Sequence, residues 1–299
     1  MNKQLAFIGL GRMGAAMTAH LAEQGFEVHG FDQNTDARTL AQSQGVTTHE
    51  TLKEAIGALD VERTVWIMVP SKYVDIVISE LKPLMSPGDT IIDGGNSFFQ
   101  DTIHRQHDLM GSGIHYIDCG TSGGVTGARN GASLMVGGTT QTVQKHEHTF
   151  KALATKNGYG HVGGSGAGHF VKMVHNGIEY GMMGAIAEGI NVLHEHKEGL
   201  ELDVSEALKP YQNGSIISSS LMNWIADAYH TEGYLEKIAG EVPQGETEME
   251  MEYLINHETV RVLDAAVMQR KHTRVEPSFI GTLISAMRNQ FGGHKTIEK

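Results

Sequence analysis

A chain of 299 residues is long enough for two domains, each with a core of its own. Its formal net charge of −12 and pI near 5.7 leave no long-range positive field to gather nucleic acid or an anionic membrane, so neither is expected as a partner. The single cysteine, Cys119, excludes an internal disulfide. There is no charged-then-apolar leader and no run of about 18 apolar residues, so the expected location is the cytoplasm.

Residues 5–8 form a short apolar run, followed at once by Gly9-Leu10-Gly11-Arg12-Met13-Gly14 and a helical pattern through Leu21. Strand, glycine turn and helix in that order suit a dinucleotide: the glycines let the backbone approach a pyrophosphate, which then sits on the helix N-terminus. A second strand, 27–31, ends in Asp32, whose carboxylate can accept from ribose hydroxyls and repel a 2′-phosphate, so NAD is expected in preference to NADP. Asp32 capping the next turn is the other reading, and Arg38 nearby could tolerate a phosphate. Strands at 64–69 and 90–93 end in Pro70-Ser71 and Gly94-Gly95-Asn96-Ser97, with helices at 36–44, 72–81 and 99–110 between them. Both strand ends belong at the carboxyl edge of a doubly wound sheet, where ligands bind. Strand 115–119 leads into a loop at 120–127 rich in backbone N–H groups and hydroxyls, either an anion-binding nest or a flexible connection. Closing strands are expected at 133–137 and 161–162. The fold class is therefore α/β, a Rossmann-type doubly wound sheet over 1–164, followed by an all-α domain over 165–299.

The second half opens on a helix, 166–196, in which Lys172, His175, Asn176 and Glu179 fall within an arc of about 100°. At a rise of about 1.5 Å per residue, Lys172 and Glu179 stand roughly 10 Å apart, enough to address neighbouring carbons of a small polyol. An amine and a carboxyl on one stripe form a general acid/base layout; a solvated face with a Lys/Glu pair is the plainer alternative. Phe170, Val171, Val174 and Ile178 offer an apolar face for burial. Glycines at 166, 168, 177 and 181 each cost roughly 1 kcal/mol of helix propensity, which implies close backbone approach there. Further helices are expected at 202–209, 216–229, 249–270 and 279–290, with Asp203, Ser215, Thr247 and Pro277 as start signals. The pairs His146/His148 and His194/His196 place their rings on different sides of a helix, so no metal site is expected and the histidines read as solvated. Near the C-terminus, Arg288 and His294 would suit an anion, but on physical grounds alone the reading as a helix C-cap, with Gly292-Gly293 ending the helix and its dipole favouring Arg288, is preferred.

The segments GLGRMG at 9–14, MVPS at 68–71, DGGNS at 93–97, TSGG with GARNGASLMVGG at 121–138, GHFVKMVHNGIEYGMM at 168–183 and RNQFGGH at 288–294 together resemble the short-chain, decarboxylating 6-phosphogluconate dehydrogenases. These lie within the β-hydroxyacid dehydrogenase group. The resemblance implies oxidation of the sugar acid at C3 with Lys172 as base, loss of carbon dioxide, and protonation at C1 by Glu179, a step of the pentose phosphate pathway and of gluconate use. It further implies catalytic Lys172, Asn176 and Glu179, and a cofactor site at Gly9, Leu10, Gly11, Arg12, Met13, Gly14, Asp32, Val69 and Asn96. Substrate contacts would come from Asn96, Ser122, Gly123, Gly124, His175, Asn176, Tyr180, Arg288 and His294. The tail would serve a neighbouring subunit's site, making a homodimer at least. Two departures bear on the phosphate: Ser218 stands where the family carries an arginine, and the acidic 242–248 replaces a basic segment. Arg270, Lys271 or Arg274 would have to compensate. Rival readings are the same chemistry on another gluconate, a dehydrogenase that does not decarboxylate, and an NAD-sensing protein without turnover.

Overall fold

Gln4–Ile8 (β1) is buried along all but its first residue and sits inside an eight-stranded sheet in the computed structural model, which describes residues 3–299. The other strands are Glu27–Phe31 (β2), Thr47–Thr48 (β3), Thr64–Ile67 (β4), Thr90–Asp93 (β5), His115–Ser122 (β6), Ala132–Gly137 (β7) and Ala154–Gly163 (β8). Their order, β3-β2-β1-β4-β5-β6-β7-β8, is parallel through β6; β7 then runs antiparallel to β6, with β8 parallel to β7. The first six strands thus have the doubly wound order of a dinucleotide-binding sheet. Both faces are covered. Phe7, Trp66 and Phe150 pack on one side, and Ala6, Ile8, Val65 and Ile67 on the other, which is why these strands read as unbroken apolar runs.

Helices Arg12–Glu23 (α1), Thr35–Ser43 (α2), Leu52–Gly57 (α3), Val74–Leu81 (α4), Phe99–Met110 (α5), Gly124–Asn130 (α6) and Thr140–Leu153 (α7) connect the strands. The expected loop at 120–127 is not one. β6 continues through Ser122, Gly123 turns with φ +115°, and α6 begins at Gly124. Sequence reading also passed over α7 and α3, although Thr51 and Glu54 form a complete capping box.

The chain divides into two compact units, one ending at Lys172 and the other running from Met173 to Lys299, and the division falls within the 30-residue helix Ala167–His196 (α8). The second unit continues with Val204–Gln212 (α9), Ser220–His230 (α10), Glu248–His257 (α11), Arg261–His272 (α12) and Phe279–Gly292 (α13). Its core joins Met183, Ala187 and Ile190 of α8 to Leu208, Ile225, Leu283 and Met287. Two starts shift: Ser219 rather than Ser215 caps α10, accepting from Met222 N, and Ser278 rather than Pro277 caps α13, accepting from Gly281 N. The single helix expected at 249–270 is two, parted where Glu258 is extended and Val260 also leaves helical backbone, at ψ 58°. Among the described residues, no helix is long and apolar enough to cross a membrane.

The glycine turn after β1 uses its three glycines differently. Gly9 has φ +98°, and a Cβ there would lie 2.3 Å from Met68 O. A Cβ on Gly14 would lie 2.0 Å from Gly9 O, whereas Gly11 has nothing within 4 Å. Gly14→Ala is therefore expected to destabilise the protein by about 1–3 kcal/mol, and Gly11→Ala to leave its denaturation midpoint unchanged, as urea titration would show.

His146 is a second correction, buried rather than solvated: its Nδ1 lies 3.4 Å from Thr64 Oγ1 and its Nε2 2.9 Å from Thr90 Oγ1. Burial, aided by the charge of Lys145, lowers its pKa from 6.5 to about 4. Between those values the unfolded chain binds a proton that the folded chain refuses. Stability from this group is thus complete above pH 6.5 and is lost as pH falls toward 4, by about 3 kcal/mol. Denaturation midpoints measured at pH 7 and 4.5 test this, with His146→Gln expected to be less stable at pH 7 and to show a flatter pH dependence.

Candidate active site

At the turn after β1, Leu10 N donates to Asp32 Oδ2 at 2.7 Å, and Asn34 N donates to Oδ1 at 2.8 Å. Asp32 therefore both ties the end of β2 to the glycine turn and caps the turn that follows. A carboxylate has about four acceptor positions, so capacity remains for a ribose hydroxyl. Arg38 Nη1 donates to Asp32 O at 2.7 Å, which holds it beside the same position. No side chain caps α1, and Gly11 is open, so the first N–H groups of that helix fit a pyrophosphate. Arg12 is exposed, Met13 half-buried and Leu10 buried; Val69 and Asn96, both half-buried, follow β4 and β5. These residues fit a dinucleotide.

α8 carries the acid/base stripe, and its burial is the reverse of the expected pattern. Asn176 is 6 % exposed, and Lys172, His175 and Glu179 are half-buried. Phe170, Val174, Ile178 and Met182, four residues apart along one face, are exposed, Ile178 to 62 %. One apolar stripe of the helix is thus exposed, while Met173, Met183, Ala187 and Ile190 are buried elsewhere on its circumference, as is Asn176. His175 Nδ1 lies 3.3 Å from Asn176 Oδ1 and 3.9 Å from Glu179 Oε2. Lys172 is seated in the first unit against β6, where a Cβ on Gly120 would come within 2.4 Å of Lys172 Cβ. Ser122, Gly123 and Gly124 follow at the end of that strand and the start of α6.

A second group forms around Tyr180, one residue beyond Glu179. Its hydroxyl lies 2.9 Å from Thr247 Oγ1, and the Arg270 guanidinium stacks 3.3 Å above its ring. Arg288 Nη1 donates to Pro243 O at 2.7 Å, and a Cβ on Gly245 would meet Arg288 Nη2 at 3.1 Å and the Tyr180 hydroxyl at 3.9 Å. Burial lowers the Arg270 pKa to about 10, with the charge of Arg288 acting in the same direction; burial likewise lowers Arg288. Two desolvated guanidinium groups opposing one another make a cradle for an anion. Arg274 cannot serve there, because both of its terminal nitrogens are committed to the buried Glu248 carboxylate, and Lys271 is paired with Glu252. Ser218 closes a local turn, donating to Tyr211 O and accepting from Ser215 N. His294 is exposed and stands edge-on to Phe291. Sequence reading did not find Thr247 as a site residue and named Arg270 only among three candidates, since nothing in the spacing shows which arginine faces Tyr180.

The model of the NAD binding domain of 6-phosphogluconate dehydrogenase matches residues 4–163, and that of the same enzyme's C-terminal domain matches residues 168–198. The chain is 38% identical over 298 residues to YqeC of Bacillus subtilis, whose name assigns it to 6-phosphogluconate dehydrogenase only provisionally; the match covers 99% of this chain and 100% of that protein. It is 35% identical over 301 residues to the NAD(+)-dependent, decarboxylating 6-phosphogluconate dehydrogenase of Haloferax volcanii, covering 99% of each. Among solved structures, 6-phosphogluconate dehydrogenase of Plasmodium falciparum superposes with a TM-score of 0.82 at 26% identity, over 91% of this chain but 62% of that longer one. 3-Hydroxyisobutyrate dehydrogenase of Mycobacterium tuberculosis, at 22% identity and a TM-score of 0.73 over 96% of this chain and 100% of that one, shares the fold. With a cofactor-domain match over more than half its length and full-length relatives above 30% identity, the chain belongs to the short-chain 6-phosphogluconate dehydrogenase family of NAD(P)-dependent oxidoreductases.

Proposed function

We propose that this protein catalyses the NAD-linked oxidative decarboxylation of 6-phospho-D-gluconate to D-ribulose 5-phosphate and carbon dioxide. The observation that carries the reading is the stripe of Lys172, His175, Asn176 and Glu179 on α8, with Asn176 buried and the other three half-buried, beside exposed apolar residues of the same helix. A nicotinamide dinucleotide bound at residues 9–14 supplies the hydride acceptor. Lys172 would take the proton of the C3 hydroxyl as the hydrogen on C3 leaves with its bonding pair as hydride, which gives a ketone beside the carboxylate-bearing carbon. Carbon dioxide can then depart because the electrons left behind delocalise into an enol. Glu179 delivers a proton to C1, while Asn96, Ser122, Gly123, Gly124, His175 and Asn176 hold the carboxylate and hydroxyls. Two groups a turn or two apart on one helix can divide base and acid work without moving.

Tyr180, Thr247, Arg270 and Arg288 bind the phosphate, so that Arg270 and Arg288 offset the loss of an arginine at Ser218. The acidic Glu248 does not spoil this end, being neutralised by Arg274; the hydrogen bond from Arg274 holds its pKa below the ordinary carboxylate value. Asp32 favours NAD over NADP. The exposed stripe Phe170, Val174, Ile178 and Met182 supports a homodimer or higher oligomer, the tail with His294 contributing to a neighbouring site. In this reading, residues 1–164 bind the cofactor, residues 165–299 carry substrate and subunit contacts, and the enzyme works in the cytoplasm. A second reading keeps the chemistry with a different C6 group and is favoured by the local role of Ser218.

Turnover of purified 6-phosphogluconate, with reduced cofactor and carbon dioxide measured together, tests the proposal. Lys172→Ala should lower kcat by about 10²–10⁴, and Glu179→Gln should slow carbon dioxide-coupled turnover to a similar degree. Equal turnover by Lys172→Ala and the parent protein would refute the assignment. Arg270→Met should raise KM for 6-phosphogluconate by about 100-fold and leave KM for gluconate within threefold. If gluconate is the better substrate of the parent protein, the second reading stands instead.

A further inference from the structure

Two carboxylates of the first unit are fully buried as register partners on neighbouring parallel strands: Asp93 at the end of β5 and Asp118 midway along β6. Partners in register point to the same face of a sheet, so two carboxyl groups stand on one face away from water. Burial of this kind is costly, and buried ion pairs contribute little net stability.

The hydrogen bonds at the two carboxylates suggest what they do instead. Asp93 Oδ1 accepts from Gly95 N at 3.2 Å and its Oδ2 from Ser97 Oγ at 2.7 Å, so the carboxylate grips the residues on either side of Asn96. The Tyr116 hydroxyl donates to Oδ2 at 2.9 Å from β6. Arg105 Nη1 stands 3.6 Å from Oδ2 as counterion and is held in turn by the exposed Asp75, to which its Nε donates at 2.6 Å. Asp118 grips the other segment. Its Oδ1 accepts from Gly166 N at 2.8 Å and its Oδ2 from His169 N at 2.9 Å, which fixes the first turn of α8 just ahead of Lys172. There the carboxylate is balanced by the positive end of the helix rather than by an arginine. Two residues further along the same face of β6, Gly120 leaves room for Lys172 Cβ. Each carboxylate therefore sets the place of one residue that the sugar-acid reading needs.

We propose that Asp93 and Asp118 are positioning residues, Asp93 for the substrate-holding Asn96 loop and Asp118 for the base Lys172, an inference that rests on the function proposed above. Neither touches the reacting atoms. Because the two act on different residues, their loss divides differently between kcat and KM, which two merely structural caps would not produce.

The test is steady-state kinetics of Asp93→Asn and Asp118→Asn on 6-phosphogluconate with NAD, below each variant's thermal transition, with NADH binding followed by fluorescence. Asp118→Asn should lower kcat at least tenfold with KM for the sugar acid within threefold. Asp93→Asn should raise that KM at least tenfold with kcat within threefold, and both should bind NADH within threefold of the parent. Lowered transition temperatures with kcat and KM otherwise unchanged overturn the inference, as do equal losses in both variants. If Asp118→Asn does not fold, Gly120→Ala keeps the carboxylate but displaces Lys172, and an unchanged kcat there is equally fatal. If Asp93→Asn does not fold, Ser97→Ala should raise KM at least threefold, and an unchanged KM counts against the role. Lys172→Ala separates the two levels: undiminished turnover sinks the sugar-acid reading and this inference with it, whereas an inactive Lys172→Ala beside a fully active Asp118→Asn sinks this inference alone.

Discussion

The approach of α8 to the backbone of β6 and β7 is the constraint on which the proposed chemistry depends. A Cβ on Gly168 would lie 2.4 Å from Met135 O and 2.8 Å from Asp118 O, and one on Gly137 would lie 2.6 Å from Gly168 N. Only glycine at these positions lets the helix settle onto the strands, and only glycine at 120 leaves the space that Lys172 fills. The propensity lost at such glycines, about 1 kcal/mol each, is offset by a placement that no side-chain-bearing residue would allow. Asp118 then fixes the start of the helix by accepting two of the N–H groups at its opening turn, a stronger tie than a neutral cap because the acceptor is charged.

Charge in the second unit follows a comparable logic. Arginines 270, 274 and 288 lie close enough to influence one another, yet they are not equivalent. Arg274 is committed to Glu248, and its pKa is raised by that pairing. Arg270 is buried over an aromatic ring with Met183 Sδ as a weak acceptor at 3.4 Å, and Arg288 spends one nitrogen on a carbonyl. A guanidinium removed from water carries a desolvation cost that a bound anion would offset. The acidic segment that looked hostile to a phosphate in the sequence is therefore compatible with one, because its buried carboxylate at Glu248 is already neutralised.

Much of the fold was legible because the signals are local. Residues 99–110 and 90–93 match α5 and β5 end to end, and Asp203 caps α9 as expected. The errors also have local causes. Three apolar strand residues before a glycine-rich stretch do not reveal that the strand continues through Gly120 and Thr121, since pairing with β7 decides that. The 249–270 pattern keeps a helical period across a break set by non-helical backbone at Glu258 and Val260. His146 looked like one of a solvated pair, yet α7 carries it to the hydroxyls of β4 and β5.

By itself the sequence determined the alternation of β1, β2, β4, β5 and β6 with α1, α2, α4 and α5, the glycine turn with Asp32 after it, and the spacing of Lys172, Asn176 and Glu179. Each of these is written in periodicity or in neighbouring residues. Tertiary structure alone decided which apolar residues of α8 are covered and which are exposed, because periodicity gives the faces of a helix without saying what packs on each. It also decided which arginine stacks on Tyr180 and which carboxylates hold the Asn96 loop and the start of α8. Those pairings join residues from 2 to 90 positions apart in the chain, and no local rule reaches across the longer of these separations.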